Sequence, residues 1–278
     1  MKGNKSVLIT GASTGIGYYC AKALQSDGYR VIASCRKLTD VSRLQADGLT
    51  CIPLDLNDSG SIERAVAQTL ELTGGELYAL FNNGAYGQPG AVEDLSRDVL
   101  REQFETNVFG WLELTNKILP IMIRQGYGRI IQNSSILGFA AMPLRGAYNA
   151  SKFALEGLTD TLRLELNGTG VHVSLIEPGP ILSDFRKNAL GALKANIDIE
   201  KSRFAEHYQS AIQRLAKPGA AAPFTLGPDA VYKRLKHALE SDLPKPRYCV
   251  TFPTYLMSIL RRLLSTRMMD KVLRRAGR

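Results

Sequence analysis

The sequence is poor in the patterns that build metal centres and covalent frameworks. Its four cysteines, Cys20, Cys35, Cys51 and Cys249, form no CxxC pair, so a zinc ribbon or a disulfide framework has no support. The three histidines, His172, His207 and His237, stand apart and cannot assemble an HExxH-type metal site. No apolar run approaches the roughly 18–20 residues of a membrane span; the longest are short stretches such as 118–123. A cleavable leader is not expected, because Val7-Leu8-Ile9 runs straight into a glycine-rich turn without an apolar core or cleavage site. Acidic residues are also in deficit, 26 against 35 lysines and arginines, for a formal net charge of +9 over 278 residues. With 45% hydrophobic and 22% charged residues the remainder is ordinary globular composition, which excludes disorder or a fibre. The expectation is a soluble protein of a reducing, cytoplasmic compartment.

The excess charge is local. Residues 254–278 contain Arg261, Arg262, Arg267, Lys271, Arg274, Arg275 and Arg278 against the single acid Asp270, which accounts for +6 of the +9. A basic patch confined to one end does not make a body-wide nucleic-acid surface, and no nucleic-acid partner is expected.

Short β-branched or apolar runs lie at 7–10, 30–34, 50–54, 77–82, 129–133, 171–176 and 247–250. Between them, 15–27, 59–72, 99–125, 146–166 and 228–239 carry helical periodicity. Such alternation means βαβ units, a parallel sheet and helices on both faces. It predicts a single doubly wound α/β domain of the Rossmann type over residues 1–253, with a seven-stranded parallel sheet. Two regions break the rhythm. The insertion at about 184–226 is of a length that compact domains use for lids or binding elements. Residues 254–278 read as a basic amphipathic C-terminal helix.

The first strand ends in Thr10-Gly11-Ala12-Ser13-Thr14-Gly15-Ile16-Gly17, followed at once by a helical stretch. Glycines permit the tight turn and close approach to a pyrophosphate, and the helix N-terminus supplies free N–H groups and positive dipole. A lone glycine triplet says little; after a strand and before a helix it marks a dinucleotide site. An NAD site then wants an acid after the second strand, an NADP site a base. The sequence has Ser34-Cys35-Arg36-Lys37, two cations and no carboxylate, which points to NADP(H). The structural alternative is a solvated Arg-Lys pair at a strand end.

Tyr148 and Lys152 stand four apart on one face of a helix, so that an ammonium can favour the phenolate of a tyrosine whose ordinary pKa is about 10. Upstream, Ser134 and Ser135 end a strand where α/β sheets place their chemistry. With these residues the chain resembles the short-chain dehydrogenase/reductase family. The matching motifs are TGASTGIG (10–17), NNGA (82–85), the Asn of Thr106-Asn107-Val108, the serine-bearing strand end, YNASK (148–152) and EPGPI (177–181). They cover residues 5 to about 185 in family order. The likeness is narrower to the hydroxysteroid-, retinol- and aldehyde-reducing members, and the whole chain with its basic tail is similar to bacterial NADP-dependent aldehyde reductases of that group.

The resemblance implies that Tyr148 exchanges a proton with the carbonyl or alcohol oxygen and that Lys152 lowers its pKa and binds the nicotinamide ribose. It implies that Ser135 hydrogen-bonds the substrate oxygen, with Ser134 as the neighbouring alternative, and that Asn107 holds a water relaying protons to Lys152. For the cofactor it implies contacts from Gly11, Ser13, Thr14, Gly15, Ile16 and Gly17, from Arg36 and Lys37, and from Asp55 and Leu56 beside the adenine. Asn83 and Gly84, then Pro178, Gly179, Ile181 and Ser183 beside the nicotinamide, complete that set. A homodimer or homotetramer is implied through the helices carrying Asn107 and Tyr148. The order of NNGA, Ser183 in place of threonine, and Gln132 on its strand depart from the family pattern; none removes a catalytic group.

The remaining candidates have structural readings. Trp111 and Phe109 suit packing or a subunit interface, His172 and Glu177 structural roles, and the cysteines small core fillers. His207 lies in the insertion without a partner histidine. Phe204, Tyr208, Ile212 and Leu215 form one apolar stripe, which either packs on the body or lines a hydrophobic substrate site. That favours an apolar carbonyl substrate over a sugar or an acidic metabolite. In the tail, Leu256, Leu260, Leu263, Leu264, Met268, Met269, Val272 and Leu273 recur against arginines, so the segment either docks on the protein or makes peripheral contact with an anionic membrane. The expected activity is NADPH-dependent reduction of a hydrophobic aldehyde or ketone; the alternative is a non-catalytic NADP-binding scaffold or redox sensor.

Overall fold

A computed structural model describes residues 5–276. Seven buried runs form β1 (Ser6–Ile9), β2 (Arg30–Cys35), β3 (Thr50–Pro53), β4 (Ala79–Asn82), β5 (Gly128–Asn133), β6 (Val171–Glu177) and β7 (Arg247–Cys249). They pair in parallel in the order β3-β2-β1-β4-β5-β6-β7, the seven-stranded sheet expected from the sequence. The winding changes direction between β1 and β4, and open α/β sheets bind ligands at the strand ends beside such a switch.

The helices are α1 (Gly15–Ser26), α2 (Leu38–Ala46), α3 (Ser59–Thr73), α4 (Arg97–Phe104), α5 (Gly110–Gln125) and α6 (Gly146–Glu165), then α7 (Phe185–Asn196), α8 (Ala205–Ala216), α9 (Asp229–Glu240), α10 (Phe252–Leu263) and α11 (Thr266–Ala276). Successive strand residues face opposite layers. Val7 and Ile9 pack with Cys20, Leu24, Leu235 and Leu239 of α1 and α9, whereas Leu8 packs with Ile62, Trp111, Leu114 and Leu155 on the other face. This two-sided burial is why the strands read as continuous apolar runs, each fully buried aliphatic side chain contributing roughly 1.5–3 kcal/mol.

Four local features differ from expectation. The helix expected over 99–125 is interrupted by a π-helical turn, Glu105–Phe109, which buries Asn107 and Val108 and leaves Phe109 exposed. Helix α2 carried no recognised signal, because only Val41 and Leu44 of it are buried. The apolar stripe of the insertion closes on Leu193, Ile197 and Ala91, forming a small core of its own between α7 and α8. At its centre the Tyr208 hydroxyl accepts from the Ala91 amide at 2.7 Å and donates to Asp94 Oδ2 at 2.6 Å.

The tail is two helices rather than one. It begins at Phe252, two residues before the expected boundary, and α10 ends at Leu263 before α11 starts at Thr266. Leu260, Leu264, Met269, Val272 and Leu273 dock on Ile136 and Ala140, so the segment packs on the body. Gly277 and Arg278, the end of the expected tail helix, lie outside the described residues. Among those described, no helix is long and apolar enough to cross a membrane.

Candidate active site

Backbone approaches shape the nucleotide end of the site. A Cβ on Gly17 would collide with the Gly11 carbonyl, and Gly15, at φ +57°, lies so close to Ser183 that an added Cβ would sit 2.9 Å from its Cβ. Thr10 ties the first turn to the loop after β4: its hydroxyl accepts from the Asn83 and Gly84 amides at 2.9 and 2.8 Å. Asn83 returns the contact, donating through Nδ2 to the Thr10 carbonyl at 3.0 Å. Thr14, the residue before α1, makes no side-chain cap, so among the described residues no side chain caps the first turn of α1, whose Gly15 and Ile16 line the cavity.

The chemical end is carried by α6 and by the end of β5. Lys152 is buried one turn beyond Tyr148 and donates through Nζ to the Asn133 carbonyl at 2.8 Å, its ammonium 4.2 Å from the centre of the Trp111 ring. Trp111 is itself held by an Nε1 bond to the Gly84 carbonyl at 2.7 Å, which makes it a packing residue. Ser135 is the polar neighbour that holds down the pKa of the half-buried Tyr148 phenol, and its hydroxyl accepts from the Leu137 amide at 3.1 Å. Ser134 turns away to donate to Glu156, so of the two serines it is Ser135 that accompanies the tyrosine. Asn107 lies behind them in the π-helical turn, bonding the Tyr86 carbonyl at 2.9 Å and the Ser151 hydroxyl at 3.2 Å.

Burial dominates the electrostatics. It pushes the Tyr148 phenol up from its ordinary range, opposed by the Ser135 hydrogen bond, and drives Lys152 down to about 7, opposed by the Glu156 carboxylate. Glu156 follows Lys152 by one further turn of α6 and is raised to about 7, first by its own burial and then by Glu177. Arg247 holds this acidic group together, bonding Glu156, Glu177 at 2.6 Å and Asp160 at 2.6 Å. Glu177 is thus a buried ion-pair partner.

One cavity of about 670 Å³ joins the two ends. Gly11, Ser13, Thr14, Gly15, Ile16, Asn83 and Gly84 line its nucleotide side; Ser135, Tyr148, Lys152, Pro178, Gly179, Ile181 and Ser183 line the chemical side. Gly17 and Asn107 stand behind the wall. Arg36 and Lys37 project into solvent just beyond β2. Asp55 occupies its own turn after β3, where its carboxylate accepts from the Asn57 amide at 3.0 Å, and Leu56 packs its carbonyl on Gly110. Sequence reasoning missed Thr10 and Asn133 as site residues, because Thr10 acts on the backbone amides of Asn83 and Gly84 and Asn133 acts through its own carbonyl. It also missed Phe185, whose ring meets Tyr148 edge-on at 5.3 Å, and Glu156, although the Tyr148–Lys152 spacing of four continues to it.

Residues 5–193 match the family described as short chain dehydrogenase. The chain belongs to that family. It is 43% identical over 269 residues to the Escherichia coli (strain K12) protein "Uncharacterized oxidoreductase YbbO", covering 97% of this chain and 94% of that one. It is 34% identical over 258 residues to human 17-beta-hydroxysteroid dehydrogenase type 1, covering 88% of this chain and 77% of the relative. The crystal structure of a short chain dehydrogenase/reductase from Burkholderia phymatum in complex with NAD superposes with a TM-score of 0.79 at 25% identity, covering 97% and 95% of the two chains. This short-chain dehydrogenase is accordingly an oxidoreductase acting between CH–OH and C=O groups, on a fold that holds a nicotinamide cofactor. Its residues fit that group: Gly11, Gly15 and Gly17 let the turn close on Gly84, Ser183 and the Gly11 carbonyl with no side chain between them, and uncapped α1 N–H groups suit a pyrophosphate.

Proposed function

We propose that the chain is an NADPH-dependent reductase of hydrophobic aldehydes or ketones, running reversibly. The observation that carries this reading is the Ser135–Tyr148–Lys152 group opening into a cavity walled by apolar side chains such as Ile136, Leu182, Phe185, Leu215 and Met257. When bound, the nicotinamide supplies the hydride. Tyr148, its phenol raised by burial and hence protonated at neutral pH, donates the proton to the carbonyl oxygen. The Ser135 hydroxyl hydrogen-bonds that oxygen as negative charge develops, and Lys152 in its protonated form, which prevails below about pH 7, stabilises the phenolate left behind. Phe185 packs edge-on against Tyr148 and supplies an apolar wall beside the phenol.

Replacing Tyr148 by Phe should lower turnover about 10³-fold, followed as loss of NADPH absorbance, while NADPH binding is retained. Tight NADPH binding with no turnover of any apolar carbonyl by the unaltered protein would instead favour a scaffold or redox sensor. The cofactor choice rests on Arg36 and Lys37, whose exposed cations follow β2 with no acid between them. Arg36→Asp should reduce the preference for NADPH over NADH at least about 10-fold, and unchanged selectivity would refute the assignment.

Exposed apolar residues on the helices bearing Asn107 and Tyr148, among them Phe109, Leu112, Phe153 and Leu158, support a homodimer or homotetramer. We assign the protein to the cytoplasm. Peripheral membrane contact would fall to the outward stripe of α10, Phe252, Leu256, Ile259 and Leu263, since the opposite side is docked.

A further inference from the structure

The substrate end of the cavity is apolar, yet three arginines line it: Arg145, Arg186 and Arg214. Arg186 is accounted for as a brace of the lid, donating to the carbonyls of Arg214 at 3.2 Å, Lys217 at 2.9 Å and Gly219. Arg145 and Arg214 are not. A guanidinium carries five N–H donors. Among the described residues those of Arg145 find only the Met142 thioether at 2.9 Å, a weak acceptor, and the Arg214 side chain has no hydrogen-bond partner. Neither guanidinium forms an ion pair among the described residues. Asp184, the carboxylate that also lines the cavity, is exposed and pairs with neither.

The charges aggravate one another. Burial depresses Arg145 to about 10, with Arg214 as its charged neighbour, and depresses Arg214, with Arg186 as its neighbour. A half-buried cation without an anion is unfavourable, and three together repel. The remaining arginine of the lid is paired: Arg203 holds Glu93 at 2.6 Å. Position identifies what the unpaired set faces. Arg145 precedes α6 by one residue and lines the same cavity as Tyr148, three residues further on. The glycine cradle for a pyrophosphate is a separate set of lining residues, Gly11, Ser13, Thr14, Gly15 and Ile16.

We propose that Arg145 and Arg214 form a recognition site for an oxyanion on the substrate, so that the enzyme takes carbonyl compounds with an apolar body and a carboxylate-type anionic group. The inference rests on the reductase reading above and narrows its substrate class. Planar guanidinium forks suit a carboxylate in two parallel hydrogen bonds, and the surrounding apolar wall strengthens them. Arg186, held by three carbonyls, contributes its charge without leaving its brace.

The test compares a medium-chain ω-oxo fatty acid with its methyl ester, which has the same carbonyl and body but no charge. The acid should be reduced with a kcat/KM at least about 30-fold above that of the ester, mainly through KM. Arg145→Gln and, further from Tyr148, Arg214→Gln should each lower the acid-to-ester ratio about 10-fold. Arg214→Lys should restore part of it. NADPH affinity, read by fluorescence quenching, distinguishes the other source of an oxyanion. If both glutamine variants lose NADPH affinity while the acid-to-ester ratio stays, the arginines serve the cofactor's phosphates and the proposal is overturned. Equal reduction of acid and ester by the unaltered enzyme also overturns it, with the reductase reading intact. Reduction of neither, nor of any uncharged aldehyde, overturns the reductase reading itself.

Discussion

The two ends of the cavity are built from different materials. At the nucleotide end the decisive contacts are backbone against backbone, with Gly17 on the Gly11 carbonyl and Gly11 on the Gly84 Cα. At the substrate end they are side chain against side chain: Tyr208 on Asp94, Phe185 on Tyr148, and the tail's Met269 and Leu273 on Ile136. A backbone contact admits one or two residue types, so it leaves a trace in the sequence and breaks sharply on substitution. A packed apolar lid admits many, so it leaves little trace and yields gradually.

The sharpest way to break that contrast is to add carbon to the cradle. Gly17→Val places a branched side chain where even a Cβ collides with the Gly11 carbonyl and approaches Asn83 Nδ2 to 2.7 Å. We expect NADPH affinity to fall at least about 100-fold and stability by about 2 kcal/mol, measured by fluorescence titration and thermal unfolding. Wild-type affinity in this variant would mean that the cradle is not the nucleotide site.

An intermediate effect is expected between the two ends, at the buried charges of α6. Glu156 touches neither end of the cavity but raises Lys152 against its burial. Glu156→Gln removes that carboxylate field, so Lys152 loses its proton at a lower pH. The alkaline limb of the pH profile of kcat/KM should move down by about half a unit or more, with little change on the acid side. A merely structural role would alter stability and leave the limb in place. The sign for stability differs between the partners. Lys152, depressed to about 7 from 10.5, makes the fold more stable as pH rises through that window. Glu156, raised to about 7 from 4.5, contributes stability below that window that is lost as pH rises through it.

Legibility followed the same division. Strands buried on both faces show as unbroken apolar runs, and the glycine turn, Tyr148 and Lys152 lie at local spacings, so the sheet and the chemical centre could be read from the chain. The π-helical turn could not, because Glu105–Phe109 is apolar and polar in the same rhythm as the helix around it. Nor could the choice between Ser134 and Ser135 be made from local residues: it depends on Glu156, 22 residues away, which draws Ser134 off. The tail's periodicity was visible, but its break after Leu263 and the docking of α11 depend on where Ile136 and Ala140 lie. Arg145 and Arg214 were invisible for the same reason, since nothing in the chain says that they meet.

The mildest substitution asks whether the lid is independent of the cradle. Tyr208→Phe keeps the ring in its small core with Leu193 and Leu215 but removes the hydroxyl bridging Ala91 and Asp94. Asp94 retains the Ser202 hydroxyl at 2.6 Å, so the chief loss is the acceptor for one buried amide. About 1 kcal/mol is expected, equivalent to roughly 2–4 °C in Tm for a chain of this size. Because α8 also carries Leu215 and Arg214 to the cavity wall, a loosened lid should raise KM for the carbonyl substrate modestly. NADPH affinity should not move, since no cradle residue leans on Tyr208. If cofactor affinity drops in step with KM, the two ends are mechanically coupled through the lid, and the contrast between a rigid backbone site and a yielding side-chain site is wrong.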